Sequence, residues 1–365
     1  MSISNLIKRL QDIMRNDAGV DGDAQRISQI VWLLFLKVYD AKEQAWMLED
    51  DNYTSIIPEE LQWHKWAVDL KDGKALTGDA LLKLVNDQLF PAFKQQEITL
   101  GGKKIRLSLT KDTPFKNRIV FWVFEDAINY MKDGVLLRQV INVLNEVDFD
   151  DYKDLHAFGE IYETLLKSLQ SAGNAGEFYT PRAVTDFMVQ MIDPKIGESV
   201  ADFACGTGGF LTSALRHKEK SQKTAADILT INSGIYGIEK KPLPYLLCMT
   251  NMLLHGLDEP QIHHMNSLER NVREYRDDEK FDIILMNPPY GGGEKEIVKQ
   301  SFPATLRSSE TAECVCLVAF LRRTRASQQT FCFSIMTKMA QKQPGFTEWT
   351  SQKAINTFQK QNRFC

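Results

Sequence analysis

The sequence predicts an α/β protein in which a mostly helical N-terminal domain, residues 1–150, precedes a mainly parallel sheet. Three observations carry that reading. Over the first part, apolar residues recur at helical spacing. From 151 to 312, short apolar runs alternate with longer helical segments, the pattern of a parallel sheet covered on both faces. Two of those runs end on turn residues, in "ADFACGTGGFL" (201–211) and "DIILMNPPYGGG" (282–293).

In the first domain, Ile27 to Met47 is too long for a strand and apolar on more than one face, which suits a central helix of a small bundle. "GDALLKLVNDQLF" and "NRIVFWVFEDAINYM" follow at helical spacing, with Gly134 as the stop of the second. Between them "EITLGGKKIRLSL" reads as a hairpin turned at Gly101-Gly102. The Trp and Phe residues of this domain are read as core rather than as a platform for bases. "HAFGEIYETLLKSLQ" is a further helix, and Thr180-Pro181 reads as an N-cap followed by a proline at the first helical position, leading a helix with Val184, Phe187, Met188 and Met191 on one face. The sheet then takes "SVADFA", "IYGIE", a short piece around "IHHM", and "FDIILM". Helices from about Gly209 and over "PLPYLLCMTNMLLHG" lie between.

Composition narrows the class. A chain of 365 residues with 43% hydrophobic and 25% charged residues has room for two domains and an ample core. Six cysteines in such a length are no disulfide scaffold, and Cys205 and Cys248 sit in apolar contexts that read as reduced, as in a cytoplasmic protein. The polar N-terminus is no signal peptide and no run is long enough for a membrane span, so no membrane partner is expected. Formal net charge is -4. Residues 313–365 hold eight Lys/Arg against two Asp/Glu, a net of +6 that leaves -10 for residues 1–312. The body is therefore acidic, and a polyanion is expected to need another subunit to hold it.

The glycine turn after the first sheet strand lets a ligand approach the backbone closely. As a dinucleotide fingerprint it is incomplete: Gly206 and Gly208 fit, but position 211 is leucine. Glu239, the next acid at a strand end, lies 37 residues beyond Asp202, longer than a nicotinamide cofactor expects. A P-loop fits worse still, since no Lys-Ser/Thr follows the glycines. A cofactor without phosphates fits better. S-adenosyl-L-methionine has an amino-acid end for Asp202 and a ribose diol for Glu239. Asn266, closing the third strand, is open to two readings, an adenine contact or a local turn. No metal-ligand set is read.

"FDIILM" should deliver Asn287 to the carboxyl edge of the sheet. The Asn287 side chain and the Pro288 carbonyl offer two oxygen acceptors, which suit both hydrogens of an exocyclic amino group such as that of adenine. Such a nitrogen is a weak nucleophile because its lone pair is delocalised. Accepting both hydrogens favours a more tetrahedral nitrogen as a methyl group transfers, a gain realised mainly in the transition state. Pro288 and Pro289 fix the loop, Tyr290 offers a ring for an extruded base, and Gly291–Gly293 permit close approach.

"NPPY" behind "DFACGTGGF", with "GEFYTPR" upstream, resembles the modification (methyltransferase) subunit of type I restriction-modification systems, over residues 1 to about 312. The resemblance implies a Rossmann-like, S-adenosylmethionine-dependent fold and adenine-N6 methylation of double-stranded DNA. It implies that Phe178, Tyr179, Thr180 and Pro181 lie against the methionine part of the cofactor. Asp202, Cys205, Gly206, Thr207 and Gly208 form the glycine motif, with Glu239 on the ribose and Asn287, Pro288, Pro289 and Tyr290 as the catalytic tetrad. Partners implied are a specificity subunit that reads the DNA, a second copy of the modification subunit, and a restriction subunit.

From about Glu313 the chain departs from the family pattern: it lacks the "VVLPDG"-like strand and turn, and it carries four of the six cysteines. A shifted reading frame or premature end near Glu313 is the preferred explanation, and weak or absent methylation by this polypeptide is expected. Sequencing the encoding DNA through this point tests the frame. Alternatives to DNA methylation are an RNA or protein-glutamine N-methyltransferase, since an amide nitrogen is delocalised too, and a catalytically impaired structural subunit.

Overall fold

A computed structural model describes residues 3–68, 75–146, 180–269, 276 and 279–287. They form two compact units, one holding the described residues up to 175 together with Leu253–Glu259, the other those of 176–252 and from Pro260 on.

The first unit is helical. Helices α1 (Ile3–Met14), α2 (Gly22–Glu49), α3 (Trp63–Trp66) and α4 (Gly78–Lys83) are followed by a π-helical turn, Leu84–Leu89. Then come α5 (Phe90–Phe93), α6 (Phe115–Phe124) and α7 (Gly134–Asn145). The central helix α2 buries Ile27, Ile30, Leu33, Leu34 and Trp46 on several faces, as its unbroken apolar content requires. The aromatic residues are core: Trp32 meets Phe90 edge-on at 5.0 Å, and Phe93 meets Phe124 at 4.9 Å. Strands β1 (Glu97–Leu100) and β2 (Lys103–Arg106) form the antiparallel hairpin expected around Gly101-Gly102.

The expectation for "NRIVFWVFEDAINYM" needs correcting. Helix α6 stops at Phe124, and Gly134 begins α7 rather than ending α6. Asp133 caps α7, its side chain accepting from the N–H groups of Val135 and Leu136 at 2.7 and 3.1 Å.

Glu43 is a buried acid on α2, 1% exposed, held by the Tyr53 hydroxyl at 2.8 Å. The Tyr53 oxygen also lies 2.6 Å from the Asn117 side-chain oxygen. Burial raises the Glu43 pKa to about 7, against opposing hydrogen bonds from Ser55 and Tyr53. The unfolded chain ionises this acid at ordinary pH for a glutamate, while the folded chain keeps it protonated. Stability therefore falls as pH rises through that interval, by about 3 kcal/mol once it is complete. Glu43→Gln is expected to raise the thermal midpoint at pH 8 and to leave it near wild type at pH 4, which thermal melts at the two pH values would check.

The second unit carries a four-stranded sheet of β3 (Val200–Asp202), β4 (Ile235–Glu239), β5 (Gln261–His264) and β6 (Ile283–Ile284), in the order β5-β4-β3-β6. All its pairings are parallel, with Val200 opposite Ile235 and Ala201 opposite Ile284. Around it stand α8 (Arg182–Ile192), α9 (Gly209–Glu219), α10 (Ala225–Ser233) and α11 (Pro242–Leu254). The mixed α/β fold, with a helical region preceding a parallel Rossmann-like sheet, is the fold class expected.

The chain moves outward from β3 to β4 to β5, then returns to lay β6 on the other side of β3. Strand order thus reverses between β3 and β6, and open α/β sheets bind ligands outside the carboxyl ends of their strands at such a point. Strand β6 is shorter than "FDIILM" implied, because Asp282 is engaged outside the ladder. Its carboxylate accepts from the N–H and hydroxyl of Ser199, both at 2.9 Å, pinning the start of β6 beside β3. Helix α10, which the periodicity did not single out, starts with a capping box: the Thr224 hydroxyl accepts from the Asp227 N–H and the Asp227 carboxylate from the Thr224 N–H. The helix at 156–170 and the tail from Glu313 lie outside the described residues.

Candidate active site

Asp202 ends β3 and is 2% exposed, its carboxylate accepting the Ala204 N–H at 3.0 Å. Burial pushes its pKa well above the usual carboxylate range, and the charge of Glu239 adds to the rise against the Ala204 hydrogen bond. The chain then turns tightly. Gly206 and Gly208 take φ of 55° and 80°. A side chain at Gly208 would be strained by that angle and would bring Cβ to 2.9 Å from both Cys248 Sγ and Met252 Cε. The turn is tied at several points: the Cys205 N–H donates to the Ile238 carbonyl at 3.0 Å, and the Gly208 N–H to the Cys205 carbonyl at 2.8 Å. Asn251 donates to the carbonyl of buried Thr207 at 3.2 Å.

Glu239 ends β4, the strand next to β3. One carboxylate oxygen accepts the Gly206 N–H at 2.8 Å and the other the Lys241 N–H at 2.7 Å. Burial raises its pKa, partly offset by those backbone donors. Two acids whose anions burial disfavours therefore flank one glycine turn. A ligand that brings a cation and hydroxyl donors to this edge relieves that penalty. The cysteines are different: Cys205 and Cys248 are buried free thiols, with sulfurs 3.8 Å apart. Burial and the neighbouring thiol push the Cys205 pKa well up, so a thiolate nucleophile is disfavoured here.

On the other side of the reversal point, Leu285 still donates to Ala201 at 3.0 Å, and Asn287 follows two residues on. The Asn287 side chain is half-buried. Its Nδ2 donates to the Thr180 hydroxyl at 3.1 Å, joining residues 107 apart in sequence. Thr180 is not the N-cap of α8, as its place before proline implied. Pro181 holds that position, with φ -56° and ψ 141°, and its carbonyl accepts from the N–H groups of Val184 and Thr185. The face of α8 that packs most deeply holds Thr185, Met188 and Val189, while Val184, Phe187 and Met191 are half-buried.

Comparison with known proteins matches two family models to the chain: residues 3–144 to the HsdM N-terminal domain and residues 153–332 to N-6 DNA methylase. A crystal structure from Vibrio vulnificus YJ016, described as a modification subunit of a type I restriction enzyme, is 35% identical, with a TM-score of 0.74 over 88% of this chain and 68% of its own. The chain belongs to the type I modification-subunit family. The methylase subunit of the type I restriction enzyme EcoEI from Escherichia coli is 53% identical over 315 residues. That match covers 86% of this chain and 61% of the relative, so the chain spans about three fifths of that relative's length. A chain solved in a study of complex assembly in a type I restriction-modification system is 33% identical, with a TM-score of 0.71, over 88% of this chain and 62% of its own.

In this modification-subunit fold, Asp202, Gly206, Gly208 and Glu239 come together at the carboxyl ends of β3 and β4, and Asn287 and Thr180 meet beyond the end of β6. Asn266 is buried beyond β5. Its side-chain oxygen accepts the Leu268 N–H at 3.1 Å, a local turn contact. Phe178, Tyr179, Pro288, Pro289 and Tyr290 lie outside the described residues. Sequence reading gave no role to Arg182, although it stood in the quoted "GEFYTPR". Its guanidinium donates to the Gly209 carbonyl at 3.3 Å and to the Thr212 hydroxyl, at the start of the helix that leaves the glycine turn. Among the described residues, no helix is long and apolar enough to cross a membrane.

Proposed function

We propose that this chain transfers a methyl group from S-adenosylmethionine to the N6 nitrogen of an adenine flipped out of double-stranded DNA, as a type I modification subunit. The observation that carries the reading is the meeting of the Thr180 hydroxyl with the Asn287 amide where strand order reverses, one strand from the buried acid of the glycine turn. When bound, the cofactor supplies an electrophilic methyl group on a sulfonium. Asp202 is suited to its ammonium and Glu239 to its ribose diol, because each carboxylate keeps acceptor capacity beyond its backbone donors. Phe178, Tyr179, Thr180 and Pro181 line its methionine end, with Cys205 and Thr207 shaping the turn and Asn266 beside the adenine ring.

Asn287 and the Pro288 carbonyl accept the two amino hydrogens of the target base. Tyr290 stacks on it, and Pro289 keeps the loop rigid. The proton leaves after the methyl arrives, so no carboxylate base is needed. An acidic body fits work alongside a specificity subunit that reads the sequence, a second modification subunit and a restriction subunit.

The test is single-turnover transfer of labelled methyl groups with the specificity subunit supplied, on DNA, RNA and protein acceptors. N6-methyladenine in DNA is the expected product. Label in RNA or in glutamine amides overturns the reading, and cofactor binding with no transfer to any acceptor replaces it with the impaired structural subunit expected from the tail beyond Glu313.

The two raised acids give a further expectation. A cation bound beside Asp202 and Glu239 lowers their pKa values, so binding releases protons and the affinity weakens as pH falls. Calorimetry in two buffers of different ionisation enthalpy should show net proton release. Asp202→Asn should remove most of it and weaken binding by about 10- to 100-fold.

A further inference from the structure

We infer that Thr180 is a positioning residue for Asn287, holding the amide so that its oxygen, not its N–H groups, faces the reacting nitrogen. The inference rests on the adenine-amino reading above and adds to it a residue that acts through another. A terminal amide rotates in a broad, roughly two-fold well, so an unheld Asn287 samples both orientations. In the wrong one, two N–H donors oppose the hydrogens of the amino group and the acceptor is lost. The hydrogen bond from Asn287 Nδ2 to Thr180 Oγ1, at 3.1 Å, occupies the donor end and leaves Oδ1 available.

Thr180 itself is held from the cofactor turn. Helix α8 starts at the next residue but one and has no side-chain cap among the described residues, so the hydroxyl that sequence assigns to capping is spent on Asn287 instead. The start of α8 is fastened to α9 by side chains. Arg182 reaches the Gly209 carbonyl and the Thr212 hydroxyl, Thr185 Oγ1 lies 2.9 Å from Ser213 Oγ, and Ser213 donates to Asp186 at 2.6 Å. Helix α9 begins directly after Gly208. Polar contacts thus fasten the start of α8 to the helix that leaves the glycine turn, and the backbone through Pro181 carries that anchorage to Thr180, whose hydroxyl meets the Asn287 amide. The orientation of the catalytic amide is set by the element that shapes the cofactor site.

The test compares Thr180→Val, which keeps the branched shape and removes the hydroxyl, with Thr180→Ser, which restores it. Single-turnover methylation of DNA, cofactor affinity by calorimetry, and the Asn287 side-chain amide resonances, assigned by their loss in Asn287→Asp, are read on the full chain. T180V should slow transfer at saturating cofactor by about 10- to 100-fold, as misplacement of a reacting group does, a loss larger than any weakening of cofactor binding, and T180S should recover most of the rate. The Asn287 amide protons should show hydrogen bonding in wild type and T180S and lose it in T180V. A T180V rate within twofold of wild type, or a rate loss matched by weaker cofactor binding, overturns the inference and leaves adenine methylation standing. If wild type transfers no methyl group, the methylation reading fails. The amide resonances then decide the contact by themselves: no hydrogen-bonded signal in wild type overturns it, and a signal lost only in T180V supports it.

Discussion

Asn287→Ala is expected to slow single-turnover methylation by about 10²–10³-fold, the loss that follows removal of one group aimed at developing charge. Cofactor affinity should stay close to wild type, because Asn287 lies beyond β6 while the acids that suit the cofactor end β3 and β4. The folded state should also be little affected. Asn287 is half-buried, and its described hydrogen bond goes to a single hydroxyl. The variant therefore separates chemistry from binding and from stability. A fall in cofactor affinity that accounts for the rate loss would place Asn287 among the binding groups. A rate within tenfold of wild type would remove the acceptor from the mechanism.

The second large effect belongs to the helical unit. In Gly134→Ala the new Cβ would stand 1.9 Å from the Gly78 carbonyl oxygen and 2.5 Å from its carbon. Both are backbone atoms at the start of α4, so no side chain can swing aside, and the starts of α4 and α7 must part. Overpacking of this kind costs about 3 kcal/mol or more. The thermal transition of the unit should drop by about 6–12 °C, read by scanning calorimetry on the full chain. Gly197→Ala is the control: a Cβ there meets nothing within 4 Å and Gly197 has no positive φ, so its midpoint should not move. Equal melting of the two variants would show that the α4–α7 approach relaxes without cost.

What could be read in advance follows the range of the interactions concerned. The parallel sheet and the β1–β2 hairpin were legible because alternation of strand and helix and the Gly101-Gly102 pair are local signals. The apolar faces of α2 were legible for the same reason. Asp202, the glycine turn and Glu239 could be assigned to strand ends because each closes a short apolar run. Gly134 was misread because glycine ends a helix more often than it starts one. The Asp133 cap was the available cue, while the close approach to Gly78 has no sequence signature. Helix α10 was missed although Thr224 and Asp227 carry a capping-box spacing. Thr180 shows the deeper limit. Its neighbours assign its hydroxyl to α8, and only the fold reveals a stronger claim from a residue 107 positions away.

Helix α11 begins among the residues of the sheet unit, but Leu253–Glu259 belong to the helical one. Within that stretch Asp258 pairs with Lys42 at 3.2 Å and with Lys116 at 4.0 Å, and Leu253 and Leu257 are fully buried. A fragment excised after residue 175 would lose all three and strand two lysines without the carboxylate they share. The N-terminal half is thus no autonomous module: gene fission between the halves would strip the helical unit of a part encoded in the other half.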